Sequence, residues 1–410
     1  MKCQACNSLD MRMKLSLGRV APVNLMEAIN SRFTSDTRFR LDLFFCGNCQ
    51  LVQIGSELPK EIVFPPHYPY ISGSTQILVN NFKEQSQLAI EVIGIKTDDI
   101  VIDIGSNDGS LLLQYSDKCT VIGIEPTDSA KIANQKNINT IQEYFTTDLA
   151  VRLNEQYSEK IKLVTACNVF AHIPNLENLI EGIKKLIQEQ GVFLSESHYL
   201  FGLIESLQFD TIYHEHLRYY SAKFLVDYFK KHDLQVFRID KIDTHGGSIR
   251  VWVSKPGNFK VQDSVARVLA EEESYHENFE IYLEEFAQRV HSWRNSFRKL
   301  IAELRQSGKK ISGLGAPSRS STLLSFAGMS ENDISEIGEI STSNKIGKYM
   351  PGTDIKILTE DQMLSSCPDV ILILSWHIKD ELIRVLKNKK FTGEVLIPLP
   401  QPILVSINKI

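Results

Sequence analysis

Residues 101–112 read VIDIGSNDGSLL and residues 121–126 read VIGIEP. The first stretch sets strand-type residues around Asp103, then a turn with Gly105 and Gly109, then the apolar run Leu111–Leu113. A strand, a tight glycine turn and a helix N-terminus bring backbone N–H groups against a bound cofactor. The spacing is Asp-x-Gly-x-x-x-Gly, which departs from the Gly-x-Gly-x-x-Gly of a dinucleotide fingerprint. Glu125 closes the next apolar run, about twenty residues on, where a ribose diol needs acceptor oxygens. The turn and the acidic strand end together predict an S-adenosylmethionine (SAM) site; a glycine turn alone would be an ordinary strand–helix connection.

Outward from this turn, strands and helices alternate between Asp98 and Val253. Strands are expected at 100–104, 121–125, 162–166, 191–195, 235–239 and 249–253, with helical patterns between them, which argues a doubly wound, mostly parallel sheet. Upstream, Ile77, Phe82, Leu88 and Ile90 mark a helix over 76–93. The preceding PPHYPYISGST at 65–75 reads as an extended aromatic connection. Downstream, 264–306 carries mixed charge at helical period and reads as a solvated linking helix. KKISGLGAPSRSSTLLSF at 309–326 repeats strand, glycine-rich turn and helix, and EIGEI (336–340), VILILS (370–375), a helix at 377–388 and EVLIPLP (394–400) follow. The expected fold is α/β throughout. A zinc-binding β unit with its aromatic linker spans 1–75, a Rossmann-type methyltransferase sheet 76–258, the linking helix 259–306, and a smaller C-terminal Rossmann-like domain 307–410.

The 410 residues suffice for two or three domains. A hydrophobic fraction of 43%, a charged fraction of 23% and a net charge of −5 describe a globular chain with ample core and no basic field for nucleic acid. No apolar run reaches the roughly 18–20 residues that span a bilayer. The segment MKCQACNSLD lacks the apolar stretch of a signal peptide. The expected setting is cytoplasmic, without nucleic-acid or membrane partners.

Of the seven cysteines, four form two Cys-x-x-Cys pairs, Cys3/Cys6 and Cys46/Cys49. Four thiolates supply the ligand set of a closed tetrahedral zinc site with no open position for a reactive water, so the zinc would be structural. Its binding energy would then be folding energy for a unit too small to be secure alone. A redox pair, a rubredoxin-like iron site and a nucleic-acid zinc ribbon are the competing readings. Cys119, Cys167 and Cys367 lie in apolar stretches and are expected to be inert core residues.

Two segments concentrate histidine. ACNVFAHIPNLENLI at 166–180 should bring Asn168 and His172 out at the carboxyl edge of the sheet, where open α/β folds bind ligands. DTIYHEHLRYYS at 210–221 packs Tyr213, His214, Glu215, His216, Tyr219 and Tyr220 together. A metal on His-x-His lacks a distant third ligand. Tyr219 and Tyr220 suit a structural role, whereas Tyr213, Glu215 and His216 suit acid–base chemistry, a titratable ring beside an orienting carboxylate.

With these segments in view, the chain resembles the sugar C-methyltransferase family, SAM-dependent enzymes acting on nucleotide-linked 4-keto-deoxysugars. The resemblance runs through LFFCGNCQLVQI, YPYISGS, DIGSNDGSLL, NVFAHI, FDTIYHEHLRYYS, HGGSIRVWV at 245–253, GAPSRSSTLL, KIGKYMPGTDI and VILILSWHIKDELI. It implies that a base removes the proton next to the ketone, most simply at C3, and that the enolate carbon attacks the SAM methyl. His216 would be the base, Glu215 would orient it, Tyr213 would donate to a sugar oxygen or relay the proton, and His172 would steady the enolate oxygen. Tyr68 or Tyr70 would close the pocket over the sugar. Asp103, Gly105, Asn107, Gly109 and Glu125 would hold SAM, with Asn168 near its methionyl end.

In the C-terminal unit the resemblance implies a seat for the nucleotide-sugar. The turn at 313–316 would take a phosphate on N–H groups and Arg319 would add a bidentate charge, with Ser318, Ser321, Lys345 and His377 around it. Here the chain departs from the usual pattern, which reads GAPAKGNTLL, carries Asp where Ile340 stands and Asn where His377 stands. Three other functions compete: SAM-dependent O- or N-methylation, a recognition module without catalysis, and an NAD-linked sugar reductase using the C-terminal turn.

Overall fold

The computed structural model describes residues 1–26 and 37–409. Near the N-terminus β1 (Met11–Val20), β2 (Phe39–Cys46) and β3 (Val52–Ile54) form an antiparallel ribbon. Leu15, Leu17, Leu43 and Phe45 are buried on it, beside Cys3 and Cys46. The aromatic connection then runs extended, as expected, with a single 3₁₀ turn at Ser72–Ser74. The helix Gln76–Ile93 follows and stops at Gly94, whose φ of 65° provides the left-handed cap.

The central sheet contains β4 (Ile100–Ile104), β5 (Thr120–Ile124), β6 (Thr140–Ile141), β7 (Ile161–Cys167) and β8 (Val192–His198). After a two-residue strand β9 (Arg218–Tyr219), β10 (Gln235–Ile242) and β11 (Ser248–Ser254) complete it. Its order is β10-β11-β8-β7-β4-β5-β6, parallel except for β11. The chain winds outward from β4 to β6, crosses back and continues from β7. A crevice therefore opens at the carboxyl ends of β4 and β7, the point where ligands bind in such sheets. All five residues of β4 are buried, which is why it reads as one apolar run rather than an alternation.

The C-terminal sheet, β12 (Ile311–Leu314), β13 (Glu336–Glu339), β14 (Lys356–Thr359), β15 (Val370–Ile373), β16 (Glu394–Ile397) and β17 (Ile403–Ser406), has the order β14-β13-β12-β15-β16-β17. It is parallel apart from β17, and its own switch point lies between β12 and β15.

Three expectations are corrected here. The glycine turn after β4 leads only into a 3₁₀ turn, Leu112–Gln114, so no long helix presents its N-terminus to the crevice. The segment 259–306 is two helices, Asp263–Glu277 and Phe279–Gln306, parted at Asn278. It is also far from solvated: Leu283, Phe286, Val290, Trp293, Phe297 and Ile301 are buried on one stripe, and Trp293 donates to the Pro398 carbonyl at 2.6 Å. Most of its charge occupies the other faces, as in any amphipathic helix, but Glu272 is buried and accepts from the Ala222 and Lys223 N–H groups. Among the lone cysteines Cys119 and Cys167 are partly buried, but Cys367 is exposed in a turn with φ of 55°.

The N-terminal ribbon is not self-contained, because β9 pairs with β3 (Val52 with Tyr219, Gln53 with Arg218). Buried Arg218 bonds Gln4 and the Ile173 and Pro174 carbonyls. The segment carrying Tyr213 to His216 is thus clamped between the ribbon and the central sheet. Among the described residues no helix is long and apolar enough to cross a membrane.

Candidate active site

The turn after β4 is shaped by backbone conformation. Gly105 and Gly109 have φ of 72° and 77°, and Asn107, at 50°, shares that left-handed region. A Cβ on Gly105 would lie 2.4 Å from Val169 Cγ2, so the turns after β4 and β7 touch. Glu125 receives the Asn107 N–H at 3.0 Å and the Thr127 N–H at 2.8 Å. A carboxylate has four acceptor positions, which leaves room for a diol. Asp103 is buried against Thr165 Oγ1 at 2.6 Å, and burial raises its carboxyl to about 7. The Asn168 Oδ1 is buried without a partner, an orphan acceptor in this crevice that suits an amino group such as a methionyl one. The linker crosses the same turn: Asn107 accepts from Ser72 N–H at 2.9 Å and donates to the Tyr70 carbonyl at 3.1 Å. These residues fit SAM.

Beside this crevice, His216 is buried and its Nδ1 lies 2.8 Å from the Thr211 carbonyl. A carbonyl only accepts, so Nδ1 carries the proton and Nε2 keeps a free lone pair. Burial, then the neighbouring His172, holds this imidazole well below its usual range, so it is neutral. The Tyr213 ring packs on it, tilted by 34°, with centroids 3.9 Å apart, and the His172 ring lies 4.9 Å away. His172 also stacks on Phe64 at 5.7 Å, and burial lowers it to about 3. The His216 and His172 rings, with Asn168, Ser197, His198 and Tyr219, line a cavity of about 10 Å³, room for one water.

Glu215 does not orient His216, contrary to expectation; the Thr211 carbonyl does. Adjacent residues in this irregular turn point apart, and Glu215 faces Tyr68 and Asn24 instead. It accepts from Tyr68 O–H at 2.8 Å and from Asn24 Nδ2 at 2.6 Å. Burial lifts its carboxyl to about 7, against these two bonds and Lys345. Asn24 in turn accepts from Ser318 Oγ at 2.9 Å. Ribbon, linker, central sheet and C-terminal unit therefore meet at one carboxylate. His214 points away, with Nε2 3.2 Å from the Arg40 carbonyl, which disposes of a His-x-His metal site. Tyr219 and Tyr220 are buried with their hydroxyls on the Thr211 and Phe170 carbonyls, the structural role expected.

The expected phosphate seat is corrected. Arg319 is buried, and its fork donates to Asp210 through Nε and Nη2, both at 2.8 Å, and to Gln208 at 3.1 Å. Trp376 Nε1 also donates to Asp210 at 2.8 Å, and the guanidinium lies over the Trp376 ring. The bidentate charge is thus spent on a clasp between the C-terminal sheet and the segment leading to His216. Ser321 is buried on the Pro351 carbonyl, and the Ala316 N–H of the glycine turn donates to Glu339 at 2.7 Å. Lys345 donates to the Ala316 carbonyl at 2.7 Å and lies partly buried, close to Glu339 and Glu215. His377 is partly buried at the β15 end with Nδ1 unpartnered, and burial lowers it to about 3. Ser318 reaches the Glu215 network through Asn24 and Lys345 lies near Glu215, whereas Arg319 and Ser321 are interior.

The four cysteine sulfurs lie within 4.8 Å of one another, with Cys3–Cys49 at 3.5 Å and Cys6–Cys46 at 3.6 Å. Sulfurs at the corners of a tetrahedron with 2.3 Å zinc bonds stand about 3.8 Å apart, so the donor set is compatible with zinc. The shared hydrogen bond draws the Cys3 thiol down to about 5 and pushes Cys49 up.

Asn24, Thr211, Asp210 and Phe64 were missed in the sequence. Asp210 and Thr211 stand within the distinctive FDTIYHEH segment, which was the available signal; Asn24 and Phe64 carry none. A buried network also escaped notice: Arg250 donates to Glu196 at 2.8 Å and to Asn81 Oδ1 at 2.5 Å, and Asn81 donates to Glu196 at 3.0 Å.

A family model described as a methyltransferase domain matches residues 82–239, and one described as a C-methyltransferase C-terminal domain matches residues 243–400. The C-methyltransferase NovU of Streptomyces niveus is 30% identical over 411 residues, covering 99% of this chain and 97% of its own. Among solved structures, magnesium protoporphyrin IX methyltransferase (ChlM) from Synechocystis PCC 6803 with bound SAM aligns at 13% identity and a TM-score of 0.35, over 49% of this chain and 99% of its own. A SAM-dependent methyltransferase from Clostridium acetobutylicum ATCC 824 aligns at 13% and 0.35, over 44% and 92%. Those two likenesses are too distant to inform the chemistry. The full-length identity is not: the chain belongs to the SAM-dependent C-methyltransferase family.

Proposed function

We propose that this enzyme methylates the carbon α to the ketone of a nucleotide-linked 4-keto-deoxysugar, at C3, through an enolate. The observation that carries the reading is His216, a buried neutral imidazole whose bond to the Thr211 carbonyl leaves Nε2 bare beside the SAM crevice. In this reading Nε2 takes the α proton while the electron pair moves toward the ketone oxygen. A base of lowered pKa needs a stabilised enolate, and His172 and Tyr213, flanking the same ring, are the groups to hold that oxygen. The Tyr68–Glu215–Asn24 chain closes the pocket over the sugar, and Tyr70 ties the linker to the cofactor turn.

SAM, when held by Asp103, Gly105, Asn107, Gly109, Glu125 and Asn168, supplies an electrophilic methyl on its sulfonium. The residues around it then need only orient the carbon in line and exclude water. Zinc on Cys3, Cys6, Cys46 and Cys49 would brace the ribbon that clamps this segment. The four spans 1–75, 76–258, 259–306 and 307–410 are taken as working domains, the last seating the nucleotide with Lys345, His377 and Ser318 at its rim.

Mass spectrometry of reactions with a panel of nucleotide-4-keto-6-deoxyhexoses in deuterated water tests the reading. It expects a product heavier by one methyl and exchange of the α hydrogen that depends on His216. O- or N-methylation would give the methyl without the exchange. Because the Glu215 carboxyl titrates at about 7, near the optimum for a general base, it is the second candidate for that role. Exchange lost in H216Q and kept in E215Q supports His216; the reverse pattern assigns the base to Glu215.

A further inference from the structure

Replacing a C–H by a C–CH₃ with a methyl from a sulfonium releases one proton in every turnover. The C–H pair becomes the enolate and then the new C–C bond, the C–S pair stays on sulfur, and the proton is left on the base. His216 must therefore be emptied before it can act again. Its Nδ1 is held by the Thr211 carbonyl and the ring is buried, so Nε2 is the one position through which the proton can leave. The adjoining cavity holds about one water, and the sugar and SAM would occupy the crevice beyond it.

Two imidazoles outside the residues already assigned continue from that cavity. The His198 ring lies 5.0 Å from that of His216, and the His245 ring lies 5.6 Å from that of His198. We infer that His198 and His245 carry the proton from His216 to solvent, as an imidazole relay along the carboxyl edge of the central sheet. This inference rests on the enolate reading above.

The fold builds the row deliberately. His198 ends β8 and pairs with Ser248 of β11, which brings the turn 244–247 alongside it. His245 sits in that turn with φ of 59°, a conformation that favours glycine, followed by Gly246 and Gly247, both at positive φ. Backbone strain of this kind persists where the surroundings enforce it. His216 is buried, whereas His198 and His245 are each partly exposed, so the row runs from interior to surface. Among the described residues neither of these two rings is engaged in a hydrogen bond, which leaves them free to reorient between accepting and donating. Metal binding is a poor account of the row, because among the described residues only the four cysteines gather donor atoms within 4.8 Å.

The charges around the row favour passage over storage. His198 faces His216, His245, Arg319 and His172, and His245 faces Glu196 and Arg319. Arg319 is cationic and fixed on Asp210, so it opposes a resident proton on either ring. Glu196, held by Arg250 and Asn81, draws the proton toward the outer one. Both histidines act through His216 and are positioning residues.

The test uses the full-length enzyme with whichever nucleotide-4-keto-6-deoxyhexose it methylates, and follows α-hydrogen exchange in deuterated water with S-adenosylhomocysteine bound. H198Q and H245Q are expected to lose about ten-fold or more in exchange and in kcat. SAM affinity and sugar KM should stay within about two-fold of wild type. Millimolar imidazole should restore exchange to H198A and H245A, which a merely structural role would not allow. Exchange at the wild-type rate in H198Q and H245Q, or loss that imidazole leaves unchanged, overturns the relay. Should H198Q fail to bind SAM, H245Q, altered at the outer end of the row, decides by the same readouts. A wild-type enzyme that neither exchanges nor methylates any of the sugars removes the enolate reading itself, a result distinct from exchange that ignores His198 and His245.

Discussion

Asp210→Asn is the most informative structural perturbation. The Asp210 carboxylate is fully buried and receives three donors at 2.8 Å, Arg319 Nε, Arg319 Nη2 and Trp376 Nε1. An amide removes the charge, can keep one acceptor oxygen, and turns an NH₂ group toward donors. The Arg319 side chain, only 8% exposed, is then a buried cation without its anion. Breaking a buried pair in this way costs about 3–5 kcal/mol, most of it the stranded charge rather than the net value of the pair. Arg319→Met should cost a similar amount by stranding Asp210. The double variant should cost clearly less than the sum, with a coupling of about 0.5–3 kcal/mol. Urea denaturation of wild type, both single variants and the double variant measures this, using the first transition because several domains need not unfold together. The clasp joins the C-terminal sheet to the segment carrying His216, so D210N should also lower kcat. A D210N loss below about 1 kcal/mol, or singles that simply add, would refute the claim that Arg319 is spent on Asp210.

Because burial raises Glu215 to about 7 while its bonds to Tyr68 and Asn24 favour the ionised form, kcat/KM should rise as pH increases through about 7. E215Q should lack that limb in a pH–rate profile. The stability effect has the opposite sign: the folded state holds this proton more tightly than the unfolded chain, whose carboxyl titrates near 4.5. Stability from this group therefore falls between about pH 4.5 and 7, and E215Q should flatten that slope in thermal melts. Gly105→Ala forces a Cβ to 2.4 Å from Val169 at a φ of 72°; calorimetry should show SAM binding weakened at least ten-fold, about 1.4 kcal/mol. If the four cysteines hold zinc as proposed, elemental analysis should find one zinc per chain that Cys46→Ser lacks and a strong chelator removes, and either change should lower the first melting transition, because metal binding energy is then folding energy.

The sequence by itself determined the alternation of most strands and helices in the two α/β units and the glycine turn after β4. Buried parallel strands read as apolar runs, and glycines at positive φ leave a spacing that survives in one dimension. For the same reason the Cys-x-x-Cys pairs and the Tyr-His-Glu-His run were visible, because each is local. What only the tertiary structure decided were partnerships across long chain separations. Glu215 meets Asn24 and Tyr68 rather than His216, Arg319 finds Asp210 rather than a phosphate, and β9 completes a sheet begun in the N-terminal ribbon. The charged segment 264–306 misled for a related reason: its composition reports the solvent faces, while the buried stripe from Leu283 to Ile301 has meaning only against the surfaces that cover it. A side chain's chemistry is written in its residue type, but which hydrogen-bond or charge partner satisfies it depends on burial, and burial is settled only when distant segments pack.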